Sequence, residues 1–367
     1  MRLKVLAVAA FAALSAGILA LLSQYEVTSS DLRPGLAAGA LVLSRSGNVY
    51  SDPLFIYPPS MALAFVPFVH VGASVIFVLF GYTELLCVGV ACALTVRALG
   101  VLRWVEVGCG CAAVVLLARV TRDSFGSLNV HAYLLPCLVA ILVLWARDRW
   151  ADGAYVLMAT ALVKPIFAPL LLLPLVRGHA RDLVRPAVAG GLVVVVSAAL
   201  VPGGWNVLHL PAYVLAGIGM HGDLAVWNLS VAAIGEEYGF PVLLVLLIRL
   251  AVLAGLVAVV VAFRPGDPGH ALVAGTALLL GGFLAGSVSE LSYTLLLAPG
   301  LIVAVTRARG AALVLLVAAV ALLVLPHAAM GGVTSTLHAG LFAVVVAELL
   351  AFAGCVAVAR RPALLRA

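Results

Sequence analysis

Residues 241–263 read PVLLVLLIRLAVLAGLVAVVVAF, an apolar run in which Arg249 is the only charge. At about 1.5 Å of rise per residue, a helix over this stretch covers the roughly 30 Å hydrocarbon core of a bilayer. Similar runs occupy about 3–22, 61–96, 104–118, 131–146, 153–176, 187–201, 271–288, 291–305, 311–326 and 338–358. Composition agrees: of 367 residues, 65% are hydrophobic and 10% are charged. A water-soluble enzyme usually carries about a quarter charged residues, so that class is excluded. At roughly 20 residues per span, the chain has room for about ten to twelve spans. The reading is an all-α polytopic transmembrane protein, one domain over 1–367 with no soluble unit.

The net charge of +6 does not point to nucleic acid, because the basic residues sit at the ends of apolar runs. They cluster at Arg2/Lys4, Arg97/Arg103, Arg147/Arg149, Arg177/Arg181/Arg185, Arg264, Arg307/Arg309 and Arg360/Arg361/Arg366. The positive-inside rule then puts both termini in the cytoplasm of a multi-pass plasma-membrane protein. Segments 23–60, 202–240, 287–292 and 327–337 face the extracytoplasmic side. The six cysteines lie in apolar segments without a CxxC or Cys/His cluster, and read as packing residues. No ligand cluster requires a metal, and no cofactor is called for, although a divalent ion is not excluded. The N-terminal run resembles a signal peptide in outline, but with many later spans it reads as the first transmembrane helix.

Two stretches resist a simple count. Residues 61–96 are long for one span and short for two. Residues 153–176 lie between basic clusters, so the chain must enter and return. Their middle, Leu162-Val163-Lys164-Pro165, breaks a helix, since proline removes a backbone donor and clashes with the preceding turn. A broken hairpin or two short spans follows.

Polar residues with chemical potential concentrate on the expected outer side. In the first outer loop, 23–60, Leu32–Ser44 is apolar enough for an interfacial helix, with Ser29 or Ser30 as cap and Pro34 in its first turn. Asp31 stands directly before it, placed either to accept a proton from a substrate hydroxyl or to cap the helix. Lys164, one of only two lysines, is costly at a proline break among apolar residues. A phosphate would suit its ammonium; snorkelling or pairing with a buried acid is the alternative. Asn129 and His131 sit at the outer mouth of a span, for hydrogen bonds to a sugar or phosphate, or with His131 as a satisfied core residue. Glu290 and Tyr293 form an acid-plus-aromatic pair at another outer turn. Arg119, Arg122 and Asp123 flank the same mouth as Asn129. Arg249 and Glu348 are isolated charges deep within apolar runs, read as helix–helix partners.

These pieces in order resemble the GT-C membrane glycosyltransferases that use polyprenyl-phosphate sugars. More narrowly, they are similar to the actinobacterial family of phosphatidylinositol-mannoside mannosyltransferases and α-(1→3)-arabinofuranosyltransferases, the latter more closely. Asp31-Leu32-Arg33-Pro34 is similar to the family's Asp-Phe-Lys-Pro, and Tyr57-Pro58-Pro59 to its Tyr-Pro-Pro. Val163-Lys164-Pro165 and the leucines after it resemble its Leu-Lys-Pro hairpin. Asn228-Leu229-Ser230 is similar to its Asn-Ser-Ser, and Leu291-Ser292-Tyr293-Thr294 to its Gly-Tyr-Tyr-Ser. Departures are a single acid at Ser30-Asp31, arginine for lysine at Arg33, and Glu290 in place of a glutamine.

The resemblance implies a GT-C-like fold and transfer of a sugar from a polyprenyl phosphate, with decaprenyl-phosphate arabinose foremost. The acceptor would be a cell-wall glycan or glycolipid at the outer membrane face. Asp31 would be the general base of an inverting reaction. Arg33, Lys164 and His131 would hold the donor phosphate; Tyr57, Asn129, Asn228, Glu290 and Tyr293 would bind sugars. A polyprenyl-phosphate-mannose-dependent mannosyltransferase is the alternative within the fold, and a lipid-linked-sugar flippase or transporter the alternative outside it.

Overall fold

The computed structural model describes residues 2–22, 32–118, 121, 125, 128–215, 228–286, 289–324 and 333–360. Asp31, Arg119, Arg122 and Asp123 therefore lie outside the described residues, as do Ser29 and Ser30. The chain is all-α: among the described residues no strand forms, and the one β-type pairing is a single antiparallel bridge between Asn228 and Glu290.

After α1 (Arg2–Leu22), the helix expected in the first loop forms as α2 (Leu32–Ser44). It leans on α3 (Pro59–Phe65) through two glycines: Gly35 faces the Phe65 ring, and Gly39 faces the Phe65 and Val66 backbone. Stretch 61–96 is resolved into α3, a 3-10 turn (Val66–Phe68) and the long α4 (Ala73–Ala98). Next come α5 (Trp104–Leu117) and α6 (His131–Ala146).

The hairpin follows. Its first arm is α7 (Trp150–Ala161); its second is a 3-10 segment (Pro165–Leu171) running into α8 (Leu172–Val176). The arms pack on each other, so 150–176 is one broken hairpin, with Lys164 at the break in an extended conformation (φ −155, ψ 122). Prolines 165 and 169 deny the second arm regular α hydrogen bonds, which is why it is 3-10.

The second half comprises α9 (Ala180–Leu200), α10 (Leu210–Leu215), α11 (Val231–Glu237), α12 (Val242–Ala262) and α13 (Pro268–Ala285). A second 3-10 segment (Leu291–Leu297) then leads into α14 (Ala298–Arg307), followed by α15 (Ala311–Val324) and α16 (Val333–Ala359).

Helix α13 is the centre of the molecule, buried along nearly its whole length. Small residues let neighbours approach closely, the usual device of helix packing in lipid. Gly275 faces Leu142 of α6, Gly281 faces Leu256 of α12 and Phe352 of α16, and Gly300 of α14 lies over Thr276. Five described helical stretches are long and apolar enough to cross a membrane: Ser74–Ala98, Ala180–Leu200, Val242–Ala262, Pro268–Ala285 and Phe342–Ala359. Shorter apolar helices pack between them. At one end, the two long loops meet where the Val49 amide donates to the Pro202 carbonyl at 3.1 Å. Gly203, with φ of +70, fits there because a Cβ would strike Asn48.

Candidate functional site

The two 3-10 segments each begin with an extended residue, and those residues are Lys164 and Glu290. They face each other. Lys164 Nζ donates to Glu290 Oε2 at 3.2 Å and to Oε1 at 3.4 Å. The lysine side chain is 5% exposed and the glutamate side chain 28% exposed, so one partner is fixed in the protein and the other reaches solvent. Of the two alternatives open for Lys164, the structure thus provides an acidic partner, though a half-buried one.

The surroundings explain how an ammonium is kept there. The Lys164 amide donates to the Thr160 carbonyl at 2.9 Å, and Ser60 Oγ at the start of α3 donates to the Leu162 carbonyl at 2.7 Å. The hairpin tip is pinned from both sides. The ammonium lies 5.0 Å from the Tyr293 ring centre and 5.8 Å from that of Tyr57, within cation–π range. Tyr57 is buried, and its carbonyl accepts from the Tyr50 hydroxyl at 3.0 Å.

Glu290 is likewise held. Ser292 Oγ donates to its Oε2 at 3.2 Å and the Tyr293 hydroxyl to its Oε1 at 3.4 Å. Asn228 clamps the backbone beneath it: its side-chain oxygen accepts from the Ser230 and Ser289 amides, both at 3.0 Å. Asn228 therefore positions Glu290 through that oxygen.

His131 presents an edge to Tyr293, with ring centroids 4.7 Å apart. It is fully buried, and among the described residues neither ring nitrogen has a hydrogen-bond partner. Its ring is therefore placed where a polar ligand would find two nitrogens open among the described residues. Asn129 is buried just before it. Lysine, hydroxyls and a histidine ring thus converge on one spot, a donor set suited to an anionic oxygen cluster.

Beside the cluster runs an apolar groove of about 610 Å³ between α1, α5, α14 and α15. Val107, Val114, Leu301 and Ile302 line its length; Thr121 and Thr294 mark one end, Arg103 and Glu106 the other. Thr294 also donates to Glu348 Oε1 at 2.8 Å, so the isolated acid of α16 bonds to the residue after Tyr293. Arg249 instead donates to the Ala285 carbonyl at the end of α13, at 2.7 and 3.1 Å.

The structure therefore brings together Lys164, Glu290, Tyr293, His131, Tyr57 and Asn228. Arg33 is exposed on α2 and takes no part in these contacts, and Asp31 lies outside the described residues. Sequence reasoning missed Ser292, Ser60 and Thr294. Ser292 and Thr294 had a local signal, lying in the motif around Tyr293 without a role of their own; Ser60 acts across the fold and had none.

A family model described as Glycosyltransferase family 87 matches residues 55–289, which include Tyr57, Asn129, His131, Lys164 and Asn228. Two similar relatives are the "Alpha-(1->3)-arabinofuranosyltransferase" of Mycobacterium tuberculosis strains CDC 1551 / Oshkosh and ATCC 25618 / H37Rv. Each is 27% identical over 271 residues, which cover 70% of this chain and 60% of the relative. The match thus spans less than two thirds of the relatives' length. No solved structure matches the chain.

Proposed function

The chain belongs to glycosyltransferase family 87, and from that premise we propose that it transfers D-arabinofuranose from a polyprenyl-phosphate donor to a cell-wall or lipoglycan acceptor. The observation that carries the reading is the buried Lys164 ammonium at the hairpin break, with the His131 ring, unpartnered among the described residues, beside Tyr293. An intramembrane cation is expensive unless it serves a function, and a sugar-phosphate leaving group supplies one. The apolar groove ending at Thr294 suits the polyprenyl tail. The positive-inside distribution supports a site on the extracytoplasmic face of the cell membrane with both termini in the cytoplasm.

The chemistry follows from these parts. Asp31 takes a proton from the acceptor hydroxyl, whose oxygen attacks the anomeric carbon from the face opposite the phosphate. The carbon–oxygen bond to phosphate breaks, and the electron pair leaves with the polyprenyl phosphate. Lys164 and His131 receive the developing charge, and Arg33 meets the phosphate from α2. Tyr57, Asn129 and Tyr293 orient sugars. The donor carries its own activated phosphate, so the reaction needs no nucleotide.

A donor screen with purified protein tests this. Polyprenyl-phosphate arabinofuranose and polyprenyl-phosphate mannose are each offered with a short arabinan or mannoside acceptor, and the linkage is read by NMR. Arabinofuranosyl transfer forming an α-(1→3) bond, lost in Asp31→Asn, is expected. Transfer of mannose alone would replace the sugar assignment, and transfer from neither donor would overturn the reading.

A further inference from the structure

We infer that Glu290 is the resident counter-ion of Lys164, displaced by the donor phosphate, and so tempers the site's affinity for anionic lipids. This rests on the phosphate role proposed for Lys164. An ammonium 5% exposed among apolar residues needs a negative partner when no ligand is present. Glu290 supplies it, but loosely: contacts of 3.2 and 3.4 Å are longer than the roughly 2.7–2.9 Å of an optimised charge-assisted bond.

The two partners are not equivalent. Lys164 is fixed by a hairpin tip that Thr160 and Ser60 pin. Glu290 is 28% exposed and retains two hydroxyl donors, Ser292 and Tyr293, that can hold its carboxylate once the lysine is taken. An incoming anion therefore meets a fixed cation and a movable carboxylate. A phosphate that displaces the carboxylate gains the ammonium, while the glutamate remains hydrogen-bonded beside it. A neutral polyprenol cannot make that exchange, because it would leave the ion pair in place and gain no charge contact.

The consequence is that Glu290 opposes phosphate binding, and its removal strengthens it. The test uses the full chain in lipid nanodiscs, with a short-chain polyprenyl phosphate as probe and the corresponding polyprenol as neutral control. Glu290→Gln keeps an oxygen that Lys164 can bond but removes the competing charge. It should bind the phosphate probe about three- to tenfold more tightly, tenfold being ~1.4 kcal/mol, and the polyprenol no differently. In a Lys164→Gln background the same substitution should change nothing, the pattern a double-mutant cycle gives for coupled residues. Equal or weaker phosphate binding by Glu290→Gln, with wild-type binding intact and lysine-dependent, overturns the inference and leaves the phosphate role standing. Wild-type binding no tighter than polyprenol overturns both. Should Glu290→Gln not fold, Glu290→Asp draws the carboxylate back from Lys164 and must also tighten binding; if it does not, the inference fails.

Discussion

Replacing Lys164 and replacing Glu290 by apolar residues should have opposite signatures, although both break the same ion pair. Lys164→Met removes the fully enclosed charge and puts a flexible apolar side chain in its place. What remains is a carboxylate 28% exposed that still accepts from Ser292 and Tyr293. The stability cost should be that of a partly exposed pair, about 1 kcal/mol or less. Glu290→Leu instead leaves the ammonium enclosed beside the Tyr57 and Tyr293 rings without its acid, and stranding a buried charge costs about 3–5 kcal/mol. Activity should divide the other way. If Lys164 holds the leaving phosphate, its loss removes a charged hydrogen bond of roughly 1.5–3 kcal/mol in the transition state, a fall of about 10- to 150-fold in kcat/KM. Melting in detergent, followed by intrinsic fluorescence, and sugar transfer from the polyprenyl-phosphate donor measure both quantities. A Lys164→Met protein that melts lower than Glu290→Leu would refute the burial argument. One that melts normally and transfers sugar at the wild-type rate would refute the phosphate role.

Other expectations come from packing and from the ion pair at the far end of the bundle. Gly35→Leu should destabilise by about 1–3 kcal/mol, because its Cβ would lie on the Phe65 ring; a wild-type melting curve would mean α2 does not seat there. Thr294→Val strands the buried Glu348 carboxyl and should lower the melting temperature by an equivalent of about 1–3 kcal/mol, whereas Thr294→Ser should keep it. For Asp267, burial acts to raise the carboxyl pKa, but the two Arg307 bonds at 2.6 and 2.9 Å and the amides of Gly269 and His270 outweigh it. The pKa is held below its ordinary 3.8. A depressed carboxylate stabilises above its unfolded pKa and loses that contribution as pH falls through the folded value. Melting temperature should therefore drop on acidification below about pH 4 in wild type, and less steeply in Asp267→Asn.

The legible part of the fold was its apolar runs. Helices formed where continuous apolar sequence demanded them, and α2 covers the residues at which the first loop turned apolar. The ambiguous stretch 61–96 was ambiguous because little polarity marks its turn; Pro67 and Gly72 were the available signals for ending one short helix and starting α4. The hairpin at 153–176 was legible from Lys164-Pro165, but its second arm as 3-10 helix required weighing Pro165 and Pro169 together. The site was legible residue by residue and illegible as an assembly. Lys164 and Glu290 are 126 positions apart, and no local spacing links them. Nor does spacing show that Asn228 would bond to the Ser289 backbone, a contact that exists only once α11 and α13 are packed.

What joins these residues is the irregularity of the backbone that carries them. Lys164 and Glu290 have extended dihedrals, each opens a 3-10 segment, and neither segment has a side-chain cap. Backbone of that kind is tolerated at membrane depth only where it is buried in protein or lines a cavity, since lipid offers no hydrogen bonds. A single proline break could be accommodated as a kink. Two breaks that meet, one bearing a cation and the other an anion, are each costly alone and neutralise one another only in this packing. The same exchange explains why the ion pair itself is carried by the two 3-10 segments and not by the long loops. A loop charge meets water and needs no partner, whereas these two charges need each other until an anionic ligand replaces one of them.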